Sequence, residues 1–111
     1  MNNVYIMSAN RSAIGGFGGT LKSHCPVDLG TLVAKEAIAR SGYEANEVEH
    51  AVFGNVIHTE PRDMYVSRVI ALQAGMDKAS AALTVNRLCG SGLQAIVSAS
   101  QILMLGDASV A

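Results

Sequence analysis

Between Arg87 and Asp107 the chain carries no charged side chain. A helix on the surface of a soluble protein shows a charged face, so a helix in this stretch has to be packed on nearly all sides. Small residues (Ala95, Ser98, Ala99, Ser100) alternate with Leu93, Ile96, Val97, Ile102, Leu103 and Met104, which predicts a helix over Ser91 to Leu105 closed by Gly106-Asp107. The stretch is long enough to raise a membrane span. Gln94, Ser98, Ser100 and Gln101 interrupt it and glycines bound it, so the expectation is a buried soluble helix with no membrane partner.

Strand-like and helix-like segments alternate ahead of that helix. Val4-Tyr5-Ile6-Met7 reads as a short buried strand. The following loop, Arg11 to Cys25, contains Gly15-Gly16-Phe17-Gly18-Gly19, but Leu21 stands where either glycine-rich phosphate-binding pattern needs glycine, which leaves a surface connection requiring positive φ. Pro26 opens a helix over Val27 to Arg40, expected to pack Leu29, Leu32, Val33 and Ala37 on a sheet and to end at Gly42. A second strand over 51–57, a loop at His58 to Asp63, a helix from Met64 to Ala74 and a third strand at Leu83-Thr84-Val85 follow. Ala108 to Ala111 reads as the start of a fourth strand. This β-α-β-α-β-α-β order predicts an α/β fold with a mainly parallel sheet. An ending inside a strand, beside a helix that needs cover on two sides, predicts a chain that is incomplete as a folding unit.

At 111 residues there is room for one core. Eight basic and nine acidic residues leave a net charge of −1, which gives no electrostatic basis for a nucleic-acid or anionic-membrane partner. Cys25 and Cys89 form neither a CxxC pair nor a cluster with His24, His50 and His58, so no metal site is expected. The histidines read as solvated or locally hydrogen-bonded and Cys25 as a partnerless loop residue. The first positive charge, Arg11, follows the apolar start rather than preceding it, which predicts no secretory leader and a cytoplasmic, reducing location.

Chemistry concentrates at Val85-Asn86-Arg87-Leu88-Cys89-Gly90-Ser91-Gly92-Leu93. A strand runs into a glycine-rich turn with a cysteine at its apex, and a helix begins at once. That order is expected to push the side chain out of the sheet while Gly90 and Gly92 allow strand and helix backbones to approach closely. Free amides at a helix start favour a thiolate over a thiol and offer donors to an oxyanion. The competing reading is an inert buried thiol; the glycine bracket and the helix start favour a nucleophile.

Asn86 to Ala95 resembles the acylation motif of thiolases, the acetyl-CoA acetyltransferases and β-ketothiolases. Arg11-Ser12-Ala13-Ile14-Gly15 with Phe17-Gly18-Gly19 is similar to the family's amino-terminal signature, Gly54-Asn55-Val56 to its second-strand end, and Thr59 to Tyr65 to bacterial β-ketothiolases that accept chains longer than acetyl. The resemblance implies an αβαβα layered fold, of which residues 1–111 are the leading part of the amino-terminal domain, without the loop domain and the carboxy-terminal domain. It implies thiolytic cleavage of a 3-oxoacyl-CoA, or the reverse condensation of two acyl-CoA molecules, with coenzyme A as substrate and no permanently bound cofactor. Cys89 matches the acylated cysteine, and its amide would contribute to an oxyanion hole; Asn86, Arg87, Gly90, Ser91 and Gly92 take supporting roles. The family's activating histidine, second cysteine and most coenzyme A contacts fall beyond residue 111. A homodimer or homotetramer is implied, with Met64 to Met76 near the dimer contact. Two alternatives remain: a related condensing enzyme, such as a β-ketoacyl synthase or a sterol-carrier type thiolase, and a non-catalytic truncated interaction module.

Overall fold

A computed structural model describes residues 3–111. Its elements are α1 (Pro26–Ser41), a 3-10 turn at Ala45–Glu47, β1 (His50–Gly54), a 3-10 turn at Pro61–Tyr65, α2 (Val66–Gln73), β2 (Ala81–Val85) and α3 (Ser91–Leu105). Strands β1 and β2 pair in parallel, with Val52 opposite Leu83 and Phe53 opposite Thr84. Hydrogen bonds from Ala81 N to Glu49 O and from Asn55 N to Val85 O mark both ends of the ladder. Odd-numbered residues of β1 therefore face β2 with their backbone groups, while the amides and carbonyls of His50, Val52 and Gly54 line the opposite edge.

Side chains alternate across the same strand. Ala51 packs on Ala71 and Met76, and Phe53 on Val66 and Ile70, so this face carries α2. Gly54 instead faces Ser91, at the start of α3, which places α3 on the other face. The result is helix, sheet, helix: the α/β layering expected from the alternation of segments.

Several local expectations are corrected. Among the described residues Val4–Met7 and Ala108–Ala111 are not strands and the sheet has two strands. Val110 does touch the sheet, accepting from Glu49 N at 3.0 Å, but a single bond makes no ladder. Helix α1 rests mainly on α2, not on the sheet. A Cβ at Gly30 would lie 2.2 Å from Ile70 Cδ1, so the glycine seats Ile70 and lets the two helices close on each other. As a consequence Val27, Thr31 and Ala34 face inward, whereas Leu32 is 64% exposed.

Helix α3 has the predicted bounds but not the predicted burial. Only Ser91 and Ala95 are buried along it, and Leu93, Ile96 and Leu105 are exposed. Its main neighbour among the named elements is β1, with β2 behind it, so the sheet covers a single stripe and much of the remaining apolar surface faces outward. The most buried helix is α2, whose Val66, Ser67, Ile70 and Ala71 are all inaccessible.

Candidate active site

Strand β2 delivers the chain to a tight turn. The Asn86 side-chain oxygen accepts from Leu88 N at 3.0 Å, as short amide side chains do when they start a turn. Gly90 N donates to Arg87 O at 3.1 Å, closing a four-residue loop over Arg87 to Gly90. Leu88 occupies its second position at φ 50, in the left-handed region that favours glycine. Cys89 comes next, exposed and without a disulfide partner. Ser91 then opens α3. Its hydroxyl, buried with the rest of the residue, accepts from Arg87 N at 2.8 Å and donates to Leu88 O at 2.7 Å. The Arg87 guanidinium reaches forward to the Gln94 side-chain oxygen, one turn into the helix.

The hydrogen bonds of this turn engage the amides of Leu88, Gly90 and Ser91, and Gln94 N bonds Gly90 O. Among the described residues, none engages the amides of Cys89, Gly92 or Leu93, and no side chain caps the helix. An exposed sulfur thus stands at the positive end of a charge-free helix, beside unspent N–H donors. Such a place suits an oxyanion formed next to the sulfur.

Asn86, Arg87, Cys89, Gly90 and Ser91 therefore share one turn, as their spacing predicts. The reading of the glycines is corrected: a Cβ at Gly92 would meet nothing within 4 Å, and one at Gly90 only Arg87 O at 3.5 Å. Close approach of backbones occurs at Gly54, where a Cβ would lie 2.7 Å from Ser91 C and 2.8 Å from both Ser91 Cβ and Ser91 O. Sequence reasoning missed this residue as a spacer, although a glycine ending a Val-Phe strand is the usual sign of such contact.

Cys25 has a partner after all. It sits half-buried against the Val27, Val66 and Ile70 cluster, and Arg62 Nη2 donates to its sulfur at 3.3 Å. Glu60 accepts from Arg62 Nε at 2.7 Å and, as the largest influence, raises the guanidinium's already high pKa. His24 and His58 are exposed, as expected. His50 departs from the expectation: its Nδ1 is buried with no hydrogen-bond partner among the described residues, because its strand position turns the ring inward. The glycine-dense segment is exposed and turns at Gly16–Gly19 through Gly19 N to Gly16 O, with Gly18 at φ 66. An apolar groove of about 320 Å³ runs between residues 4–8, α1, β1 and α3, and Cys89 is not part of its wall.

A layered α/β chain that presents an exposed cysteine where a parallel strand turns into a charge-free helix has the layout of a strand-turn-helix nucleophile site. Residues 4–111 match the thiolase N-terminal domain family, and the chain belongs to it. It is 58% identical over 108 residues to the beta-ketothiolase BktB of Cupriavidus necator, an alignment covering 97% of this chain and 27% of the relative. Among solved structures, the acetyl-CoA acetyltransferase of Bacillus anthracis superposes with a TM-score of 0.87 at 40% identity, covering 93% of this chain and 26% of that one. The Acat5 thiolase of Ascaris suum in complex with coenzyme A gives 0.87 at 36% identity, covering 92% and 26%. The chain thus spans about a quarter of the length of the relatives it matches.

Proposed function

We propose that the chain supplies the acyl-accepting cysteine of a thiolase that cleaves 3-oxoacyl-CoA or, in reverse, condenses two acyl-CoA molecules. The observation that carries this reading is the exposed Cys89 sulfur at the start of α3, beside amides that no protein acceptor uses among the described residues. In the cleavage direction the Cys89 thiolate attacks the 3-oxo carbon and the carbonyl oxygen becomes an oxyanion, for which the Cys89 amide is a donor. The bond between carbons 2 and 3 then breaks, acetyl-CoA leaves as an enolate that takes up a proton, and the shortened acyl group stays on sulfur as a thioester. The thiol of a second coenzyme A, losing its proton, collects the acyl group and returns Cys89 as thiolate. Such a two-stage transfer has ping-pong kinetics.

Asn86, Arg87, Gly90, Ser91 and Gly92 shape and hold the turn. Residues 1–111 are the leading part of the amino-terminal domain, and the remaining catalytic groups come from the rest of a thiolase-length protein. Coenzyme A is a substrate, the assembly is a homo-oligomer, and the location is cytoplasmic, in keeping with the bacterial origin of BktB. Iodoacetamide labelling with peptide mapping tests the nucleophile. Cys89 is expected to be alkylated ahead of Cys25; preferential labelling of Cys25 with Cys89 inert would favour a non-catalytic module instead.

A further inference from the structure

We propose that Gly54 is a positioning residue for Cys89, acting across the layer boundary through Ser91; the inference rests on Cys89 being the acylated nucleophile. Gly54 ends β1, a strand distant in sequence from the turn, yet its missing side chain leaves the space that the first residue of α3 occupies. A Cβ there would fall 2.7 Å from Ser91 C and 2.8 Å from Ser91 O, both backbone atoms. Backbone in the first turn of a helix cannot swing aside as the end of a flexible side chain can. Any residue larger than glycine at 54 must therefore displace the start of α3 itself.

That displacement reaches Cys89 along a short path. Ser91 is 5% exposed, and its hydroxyl grips the turn at two adjacent residues, accepting from Arg87 N and donating to Leu88 O. Its amide donates to the same Leu88 carbonyl at 3.1 Å. Leu88 is thereby fixed at φ 50, a conformation that a residue with a side chain keeps only when its surroundings impose it. Cys89 lies between the gripped pair, Arg87 and Leu88, and Ser91 itself, bonded directly to Leu88. Its direction relative to α3 follows from the seat of Ser91 on Gly54.

The test compares Gly54→Ala, Ser91→Ala and Ser91→Thr with the unmodified sequence in a thiolase-length protein that contains it, reading the ratio of Cys89 to Cys25 alkylation rates by peptide mapping and the melting temperature by circular dichroism. Gly54→Ala and Ser91→Ala are expected to lower the ratio about tenfold while Cys25 labels at its original rate, since a shift on the order of 1 Å at a reacting group has effects of this size or larger. Ser91→Thr, which restores the hydroxyl, is expected to recover most of the ratio. Ser91→Ala leaves the backbone contact intact and decides the matter if Gly54→Ala fails to fold. A folded Gly54→Ala or Ser91→Ala chain with an unchanged ratio would overturn the positioning role and leave the nucleophile reading standing. Faster labelling of Cys25 than of Cys89 in the unmodified chain would overturn both.

Discussion

The hydroxyls of Ser67 and Thr84 lie 2.9 Å apart, and through them α2 holds both strands. Ser67 Oγ accepts from Phe53 N in β1 at 3.1 Å and donates to Leu83 O in β2 at 2.8 Å, while Ser67 N donates to Thr84 Oγ1 at 3.2 Å. Ser67 is 1% exposed, so its removal strands several polar groups away from water. Ser67→Ala is expected to destabilise the chain by about 1–3 kcal/mol, the range for an unsatisfied buried partner. Urea unfolding measures it. A double-mutant cycle with Thr84→Val should return a coupling of about 0.5 kcal/mol or more, and strictly additive losses would show that the hydroxyls act separately.

Replacing Cys89 by Ser changes little volume at an exposed site. Stability is expected to stay within about 0.5 kcal/mol of the parent. Acyl transfer by a thiolase containing this substitution should be lost, because a hydroxyl without a strong neighbouring base is a far weaker nucleophile than a thiolate. Mass spectrometry after exposure to acyl-CoA is expected to find the acyl group on the peptide holding Cys89 in the parent and no acyl group in the Cys89→Ser protein. An acyl adduct on any other peptide of the substituted protein would place the nucleophile elsewhere.

Asp63 sets an acid limit on stability. Its carboxylate accepts from Thr59 N at 2.7 Å, Thr59 Oγ1 at 2.8 Å and Glu60 N at 3.1 Å. The Thr59 amide is the main reason that its pKa lies below the usual carboxylate value; burial opposes the shift. A depressed value in the fold means that the stabilisation is complete above the unfolded pKa, about 3.9, and disappears as pH falls through the folded one. Asp63→Asn is therefore expected to melt below the parent at pH 7, with the gap closing below about pH 4. Melting curves across pH check this. A gap that persists unchanged to low pH would assign the loss to shape rather than charge.

The isolated chain is expected to associate. Leu93 at 69% exposure and Leu105 at 77% leave α3 with an apolar outer surface, and the outer edge of β1 carries backbone groups unpaired among the described residues. It is also expected to lack thiolase activity, since one nucleophile separated from its catalytic unit retains little effect. Size-exclusion chromatography and an acetoacetyl-CoA thiolysis assay measure both. A monodisperse monomer that turns over substrate would overturn this expectation.

What can be read from the sequence depends on whether the deciding interaction is local. The bounds of α3 are legible because a glycine turn precedes it and Gly106, at φ 80, ends it; both signals sit within a few residues. The Cys89 turn is visible for the same reason. Val4–Met7 has strand composition but no ladder, since pairing belongs to a partner and not to a segment. The leucines of α1 point to the wrong inner face, because Ile70 approaches through the gap that Gly30 leaves. Leu88 carries no sequence mark of its positive φ, which is imposed by Ser91 and Asn86.

The absence of charge from α3 has a bearing on time and medium as well as on packing. No side chain between Ser91 and Leu105 ionises, so the potential that this helix projects onto its first turn comes from peptide groups alone. Peptide dipoles do not titrate. As the surroundings become more acid or more alkaline, the helix offers the sulfur beside it an unvarying background, and whatever changes in reactivity with pH originates outside the helix.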